Sequence, residues 1–114
     1  MDSQQLVDEI TRLAADKKAL EIVALDLRGV LGYTDYFVVC SGGTGRQVKA
    51  IQDGILEGLK HQEELLPKRT EGTPDGGWVL LDYIDVVVHI FTPQMHEFYR
   101  LERLWGEAPA RIAG

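Results

Sequence analysis

The stretch Tyr36-Phe37-Val38-Val39-Cys40-Ser41-Gly42-Gly43-Thr44-Gly45-Arg46-Gln47-Val48 carries the reading of the fold. Its first five residues form an unbroken apolar run, the pattern of a strand covered on both faces, as the central strands of α/β sheets are. Such a strand needs a helix nearby, and the sequence supplies one directly. Thr44 and Gln47 have capping-box spacing, and Val48, Ile51, Ile55, Leu56 and Leu59 make an apolar stripe. This helix must stop before Pro67, because the residue preceding a proline is pushed out of helical geometry. Gly54 and Gly58 lie four apart on it, a spacing that points to close helix packing.

Toward the N-terminus, Leu6, Ile10, Leu13, Ala14 and Leu20 recur at three- and four-residue intervals, and Asp2 with Gln5 forms a capping box. A first helix is therefore expected almost from the first residue. The period then changes in Glu21–Arg28, where Val23, Leu25 and Leu27 share one face of a half-buried strand before Gly29 and Gly32 break it. Toward the C-terminus, Lys68–Glu71 reads as a short polar edge strand and Gly72–Gly77 as a loop. Trp78–Asp82 and Asp85–Phe91 then read as a hairpin turning at Tyr83-Ile84, which would set Asp82 opposite Asp85. In that hairpin Val79, Leu81, Val86, Val88 and Ile90 form a wholly apolar face, expected under the helices. The other face carries Trp78, Leu80, Asp82, Asp85, Val87, His89 and Phe91. Thr92-Pro93 starts a last helix with the stripe Phe98, Leu101 and Trp105. Without repeats or linkers, the expectation is a single α/β domain, residues 1–108, with a mixed β-sheet and helices, followed by a short tail, residues 109–114, with little to fold.

The chain has 114 residues, 12 Lys and Arg against 18 Asp and Glu, and a net charge of −6. That length suits one domain. The negative charge argues against attraction to bare nucleic acid or an anionic membrane, both of which favour clustered cations. Residues 71–107 hold seven acids and two bases, so five of the six net negative charges sit there. A single cysteine, Cys40, forms no internal disulfide and suits a reducing compartment. The opening Met1-Asp2-Ser3-Gln4-Gln5 has no basic-then-apolar pattern, so no secretory signal is expected, and no segment has the apolar length of a membrane span. The expected location is cytoplasmic.

Three features are candidates for chemistry. Ser41–Arg46 is a glycine-rich loop leading into a helix N-terminus, where amides can hold phosphate. It matches neither the Walker nor the dinucleotide spacing, and a tight turn into a capped helix accounts for it. Asp82, Asp85 and His89 have the side chains of a metal or acid–base site, although aspartate is a favoured turn residue and strand histidines are usually satisfied structurally. His61 and His96 lack companions at ligand spacing, and Cys40 reads as a small buried hydrophobe. In the last helix, His96, Tyr99 and Arg103 fall together beside the stripe. Tyrosine and arginine beside a tryptophan-bearing sheet face make the composition of a protein interface.

Asp35-Tyr36-Phe37-Val38-Val39, Arg46-Gln47-Val48, Trp78–Tyr83, Asp85–Phe91 and Phe98–Trp105 closely resemble the ribosomal silencing factor (Iojap-like) family, in order and over nearly the whole chain. The resemblance implies a nucleotidyltransferase-like fold without catalytic residues, and the Asp-x-Asp pair expected after a catalytic Gly-Ser is missing beyond Ser41-Gly42. It further implies a non-enzymatic translational repressor that binds the large ribosomal subunit through ribosomal protein fourteen and blocks joining of the small subunit when nutrients are short. No cofactor or metal is expected, and little or no direct nucleic-acid binding. Partner-binding residues would be Trp78, Leu80 and Tyr99 as apolar anchors, with Asp82, Asp85, Glu102 and Arg103 as charged contacts. A homodimer is expected when the protein is free of the ribosome. The rival reading is a small nucleotide- or metal-dependent enzyme using Ser41–Arg46 and Asp85. Two departures stand out: family members usually carry glycine where this chain has Ile84, and Gln94-Met95-His96 is less polar than the corresponding helix start in relatives. A β-branched residue resists the positive φ of a primed two-residue turn, so Ile84 sets side-chain preference against the expected register.

Overall fold

The structure, a computed structural model, describes residues 1–30, 32, 34–95 and 110–112, the last three as backbone. In chain order the elements are α1 (Ser3–Asp16), β1 (Leu20–Asp26), β2 (Tyr36–Ser41), α2 (Gly45–Glu63), β3 (Arg69–Thr73), β4 (Trp78–Asp82), β5 (Val86–Phe91) and β6 (Ala110–Ile112). The strands form one sheet in the order β3-β4-β5-β2-β1-β6. β2 and β5 pair in parallel at its centre and every other pairing is antiparallel. The sheet is therefore mixed, as expected.

The continuous apolar run explains why β2 is central: all six of its residues are buried, and so are all six of β5 beside it. Their side chains alternate between two cores. Tyr36, Val38 and Cys40 from β2, with Val86, Val88 and Ile90 from β5, pack under both helices against Leu6, Val7, Ile10 and Leu13 of α1 and Val48, Ile51, Ile55 and Leu59 of α2. On the opposite face Phe37, Val39, Val87 and Phe91 join Leu25, Leu27 and Leu80, with Val23, Trp78 and Met95 at the margin. The hairpin face expected under the helices does lie beneath them, since Val79 and Leu81 join Val86, Val88 and Ile90 in the helix-side core.

Local chemistry fixes the helix ends. Asp2 and Gln5 form the complete reciprocal capping box of α1. The cap of α2 is only half of one: Thr44 accepts from the Gln47 amide, but the Gln47 side chain donates to the Lys17 carbonyl and so ties the start of α2 to the end of α1. α2 ends at Glu63, ahead of Pro67, because Glu64 takes the left-handed conformation at φ 53° and the Leu65 amide donates back to the Leu59 carbonyl. Gly54 and Gly58 face α1. A Cβ on Gly54 would lie 2.8 Å from Lys17 Cγ, and one on Gly58 would lie 2.5 Å from Leu13 Cδ2.

Four local expectations change. Leu20 leaves the helix stripe and begins β1, half exposed, ahead of a bulge between Leu20 and Val23. The edge strand runs to Thr73, so Gly72 and Thr73 pair with Val79 and Trp78 instead of lying in a loop. The hairpin register moves by two residues: Asp82 lies opposite Val87, and Asp85 lies in the turn. Ala110–Ile112, placed in a tail with little to fold, adds an antiparallel strand to the free edge of β1. Residues 93–95 open the expected last helix with Pro93 at its first position, and its stripe of Phe98, Leu101 and Trp105 lies outside the described residues.

Candidate partner-binding surface

The hairpin presents its mixed face as strand pairs. Leu80 stands opposite His89 and Trp78 opposite Phe91, so the tryptophan and histidine are diagonal neighbours within reach of each other. Trp78 Nε1 donates to His89 Nδ1 at 3.3 Å. The imidazole is also enclosed by the rings of Phe37, Phe91 and Trp78 at centroid distances of 4.7, 6.1 and 6.3 Å. Burial in this apolar cage lowers the His89 pKa from 6.5 to about 4, so the ring is neutral at physiological pH. With Nδ1 accepting, the ring proton belongs on Nε2, which has no partner among the described residues. The histidine thus orients the tryptophan as an uncharged acceptor, which is a structural role and not that of an acid–base catalyst.

The carboxylates separate. Asp82 Oδ2 accepts from Arg69 Nε at 3.2 Å and Oδ1 from the Ile84 amide at 2.8 Å, so it braces both the edge strand and the turn. Asp85 projects from the turn, exposed, and its backbone carbonyl accepts from the amides of Asp35 and Tyr36. With Asp82 engaged at the edge strand and His89 in the aromatic cage, the three side chains do not converge on one point. Among the described residues no group of three or more His, Cys, Asp or Glu has the arrangement to hold a metal ion. The glycine-rich loop is shaped by packing. The Gly42 amide donates to the Phe91 carbonyl at 2.8 Å, and a Cβ on Gly42 would stand 2.8 Å from the Val48 nitrogen. Cys40 is fully buried, and desolvation pushes its thiol up to about 12, which leaves it an unreactive core residue.

Of the residues singled out for partner contact, Trp78 and Asp82 are partly exposed, Asp85 is exposed, and Leu80 is buried in the second core. Tyr99, Glu102 and Arg103 lie outside the described residues, as does His96. Sequence reasoning missed Arg69, which faces Asp82 only once the β3–β4 register is known. It also missed Gly72, at φ 77°, where a Cβ would meet the Trp78 carbonyl oxygen at 2.2 Å. That close approach holds the edge strand against the residue on which the surface turns.

A family model described as ribosomal silencing factor during starvation matches residues 1–113. The chain belongs to the ribosomal silencing factor family. Ribosomal silencing factors from Halalkalibacterium halodurans and Bacillus subtilis are 38% and 37% identical to it, each over 96% of this chain and 92% of the relative. A chloroplastic Iojap protein from Zea mays is 34% identical over 87% of this chain and 42% of its own length. A crystal structure from Chromobacterium violaceum superposes with a TM-score of 0.88 at 32% identity, covering 93% of this chain and 88% of that one. A second, from Bacillus halodurans, gives 0.82 at 36% identity over 95% and 97%. Membership supports a ribosome-associated silencing role, and these relatives are named as silencing factors and not as enzymes.

Proposed function

We propose that this silencing factor docks on the large ribosomal subunit through ribosomal protein fourteen and, once there, obstructs joining of the small subunit. The observation that carries the choice of surface is Trp78. It is the large aromatic on the outer hairpin face that remains partly exposed while the β5 residues beside it are buried, and its indole is fixed by His89. A pre-positioned tryptophan loses little side-chain entropy on binding, which suits an interface anchor. Asp85 adds exposed negative charge on the same hairpin and Asp82 stands beside it paired with Arg69, in the segment that holds most of the net charge. A basic ribosomal protein complements that charge better than an RNA backbone does. Tyr99, Glu102 and Arg103, outside the described residues, complete the proposed contact set.

The test is cosedimentation with purified large subunits. Replacing Trp78 and Tyr99 together by alanine should abolish it while circular dichroism stays native, and retained binding would refute this surface. Free of the ribosome, the same surface is available to a second copy. Light scattering should then give a dimer mass for the wild-type chain and a monomer for Trp78→Ala, and a monomeric wild type at high concentration removes the dimer.

A further inference from the structure

The end of the sheet away from Trp78 gathers the β1–β2 loop, the β4–β5 turn, the start of α1 and the segment after α2. Hydrogen bonds join these pieces: the Asp35 amide donates to the Asp85 carbonyl at 2.9 Å, and the Lys68 amide to the Asp82 carbonyl at 2.7 Å. Among the described residues, five large apolar side chains are more than half exposed. Four of them, Met1, Val30, Leu66 and Ile84, lie at this end, and the fifth, Leu20, starts β1 at the other. Single exposed apolar residues are ordinary, but their concentration at one end marks a contact surface. Ile84 sharpens the point. It is 57% exposed, so burial does nothing to offset its left-handed φ of 76°. A turn that only reversed the chain would carry glycine there without strain. The conformation is enforced by Asp82 Oδ1, which accepts from the Ile84 amide, and by the Asp85 amide, which donates to the Tyr83 carbonyl. An aliphatic side chain is thus held outward on a fixed backbone, and strain retained at an exposed position points to use of the side chain.

Charge selects what covers this patch. Asp26 is set against Arg28, and Asp82 against Arg69. What remains around the apolar side chains is Asp2, Asp35, Glu63, Glu64 and Asp85 against Lys68 and the Met1 amino group, five acids and two cations. That excess repels the same end of a second copy and an anionic membrane, and it attracts a basic protein. The patch is built from a turn, a loop and chain ends, so it offers no strand edge for β-addition and leaves side-chain contact, the mode of a helix laid on an apolar surface. We propose that this end of the molecule docks an amphipathic basic helix of a protein partner, its apolar stripe seated on Ile84, Leu66 and Met1 and its lysines or arginines facing the surrounding acids. Ile84 is the anchor, and the strained turn keeps it in place before the partner arrives. This surface lies at the opposite end of the strands from Trp78 and does not depend on the function proposed above.

The experiment is an amide-resolved NMR titration of the intact chain with a synthetic helical peptide of leucines at helical spacing and lysines elsewhere, using the same peptide with glutamate for lysine as the control. The lysine peptide should shift the amides of Leu66, Tyr83, Ile84 and Asp85 in a saturable way, and the glutamate peptide should not. Ile84→Gly should weaken binding at these amides about tenfold, the weight of one buried aliphatic side chain, while its thermal midpoint rises as the strain is relieved. A residue with a purely structural role would move stability and binding in the same direction. Leu66→Ser, on a separate segment, should weaken binding with an unchanged midpoint. No saturable shifts at these amides, equal shifts with the glutamate peptide, or full affinity in both variants would overturn the proposal. Shifts of the same amides with protein concentration alone would give the patch to a second copy. Retention on anionic phospholipid vesicles that is lost in Ile84→Gly would give it to a membrane, and either result overturns the basic-helix reading.

Discussion

Ile84 holds a β-branched side chain at φ 76°, with the Asp85 amide donating across it to the Tyr83 carbonyl at 2.9 Å. This i to i+2 bond makes a tight γ-turn of the rare positive-φ kind, and the arrangement costs a non-glycine residue about 1–3 kcal/mol. The turn persists because the surroundings dictate it: Asp82 accepts from the Ile84 amide, and the Asp85 carbonyl accepts from two amides at the start of β2. Ile84→Gly should therefore stabilise the fold by about 1 kcal/mol, the strain relieved less the extra chain entropy of glycine. Urea midpoints of the two proteins check this, and an unchanged or lower midpoint refutes it. His89 gives a second prediction. Its folded-state pKa, near 4 because of burial, lies below the unfolded value near 6.5, so the unfolded chain binds the proton first as pH falls. The stability it permits is complete above pH 6.5 and is lost progressively toward pH 4, by up to about 3 kcal/mol. Measured between pH 7 and pH 5, His89→Asn should show a flatter stability profile than the wild type. Equal slopes would show that the imidazole is not the group responsible.

Between elements, the α1–α2 contact offers two glycines with opposite expected outcomes. Alanine gains about 1 kcal/mol over glycine in a helix interior. At Gly54 the new methyl meets only the flexible Lys17 side chain, so Gly54→Ala should be stabilising. At Gly58 it meets three carbons of Leu13, a packed core residue, so Gly58→Ala should be destabilising by about 1–2 kcal/mol through overpacking. Thermal denaturation of both variants separates the cases, and two shifts of the same sign would contradict the packing described. The elements themselves were legible because β2 and α2 signal through period alone: an unbroken apolar run, then a stripe at helical spacing behind a threonine cap. The face assignment of the hairpin also survived, because a register shift of two leaves every side chain on its own side. What sequence could not show follows from pairing across distance. The Asp82–Arg69 contact, the displacement of Asp85 into the turn and the strand at Ala110–Ile112 all depend on which strand lies beside which. The mixed hairpin face joined Trp78 to Asp82 and Asp85, which reads as an interface composition, yet Leu80, Val87, His89 and Phe91 on it are buried. The neutrality of His89 comes from burial among Phe37, Trp78 and Phe91, and Phe37 lies far from it in the chain, so the hairpin pattern alone does not announce it.

Over the whole molecule, two cores on opposite faces of one sheet leave a hairpin whose two ends differ. One end carries Trp78, held by His89, and the other carries Tyr83 and Asp85 beside the end of α2. Glu71, Asp75, Asp82 and Asp85 put negative charge on and beside this hairpin, so under the proposed function association with the large subunit should slow as salt rises. Surface-coupled large subunits probed at low and high salt check this, and a salt-independent association rate would remove the electrostatic part of the account. Sucrose-gradient sedimentation of purified large and small subunits with and without this protein tests whether it obstructs their joining. Fewer joined ribosomes are expected, with the protein migrating in the large-subunit peak. An unchanged joined fraction, or protein found with the small subunit, would contradict it.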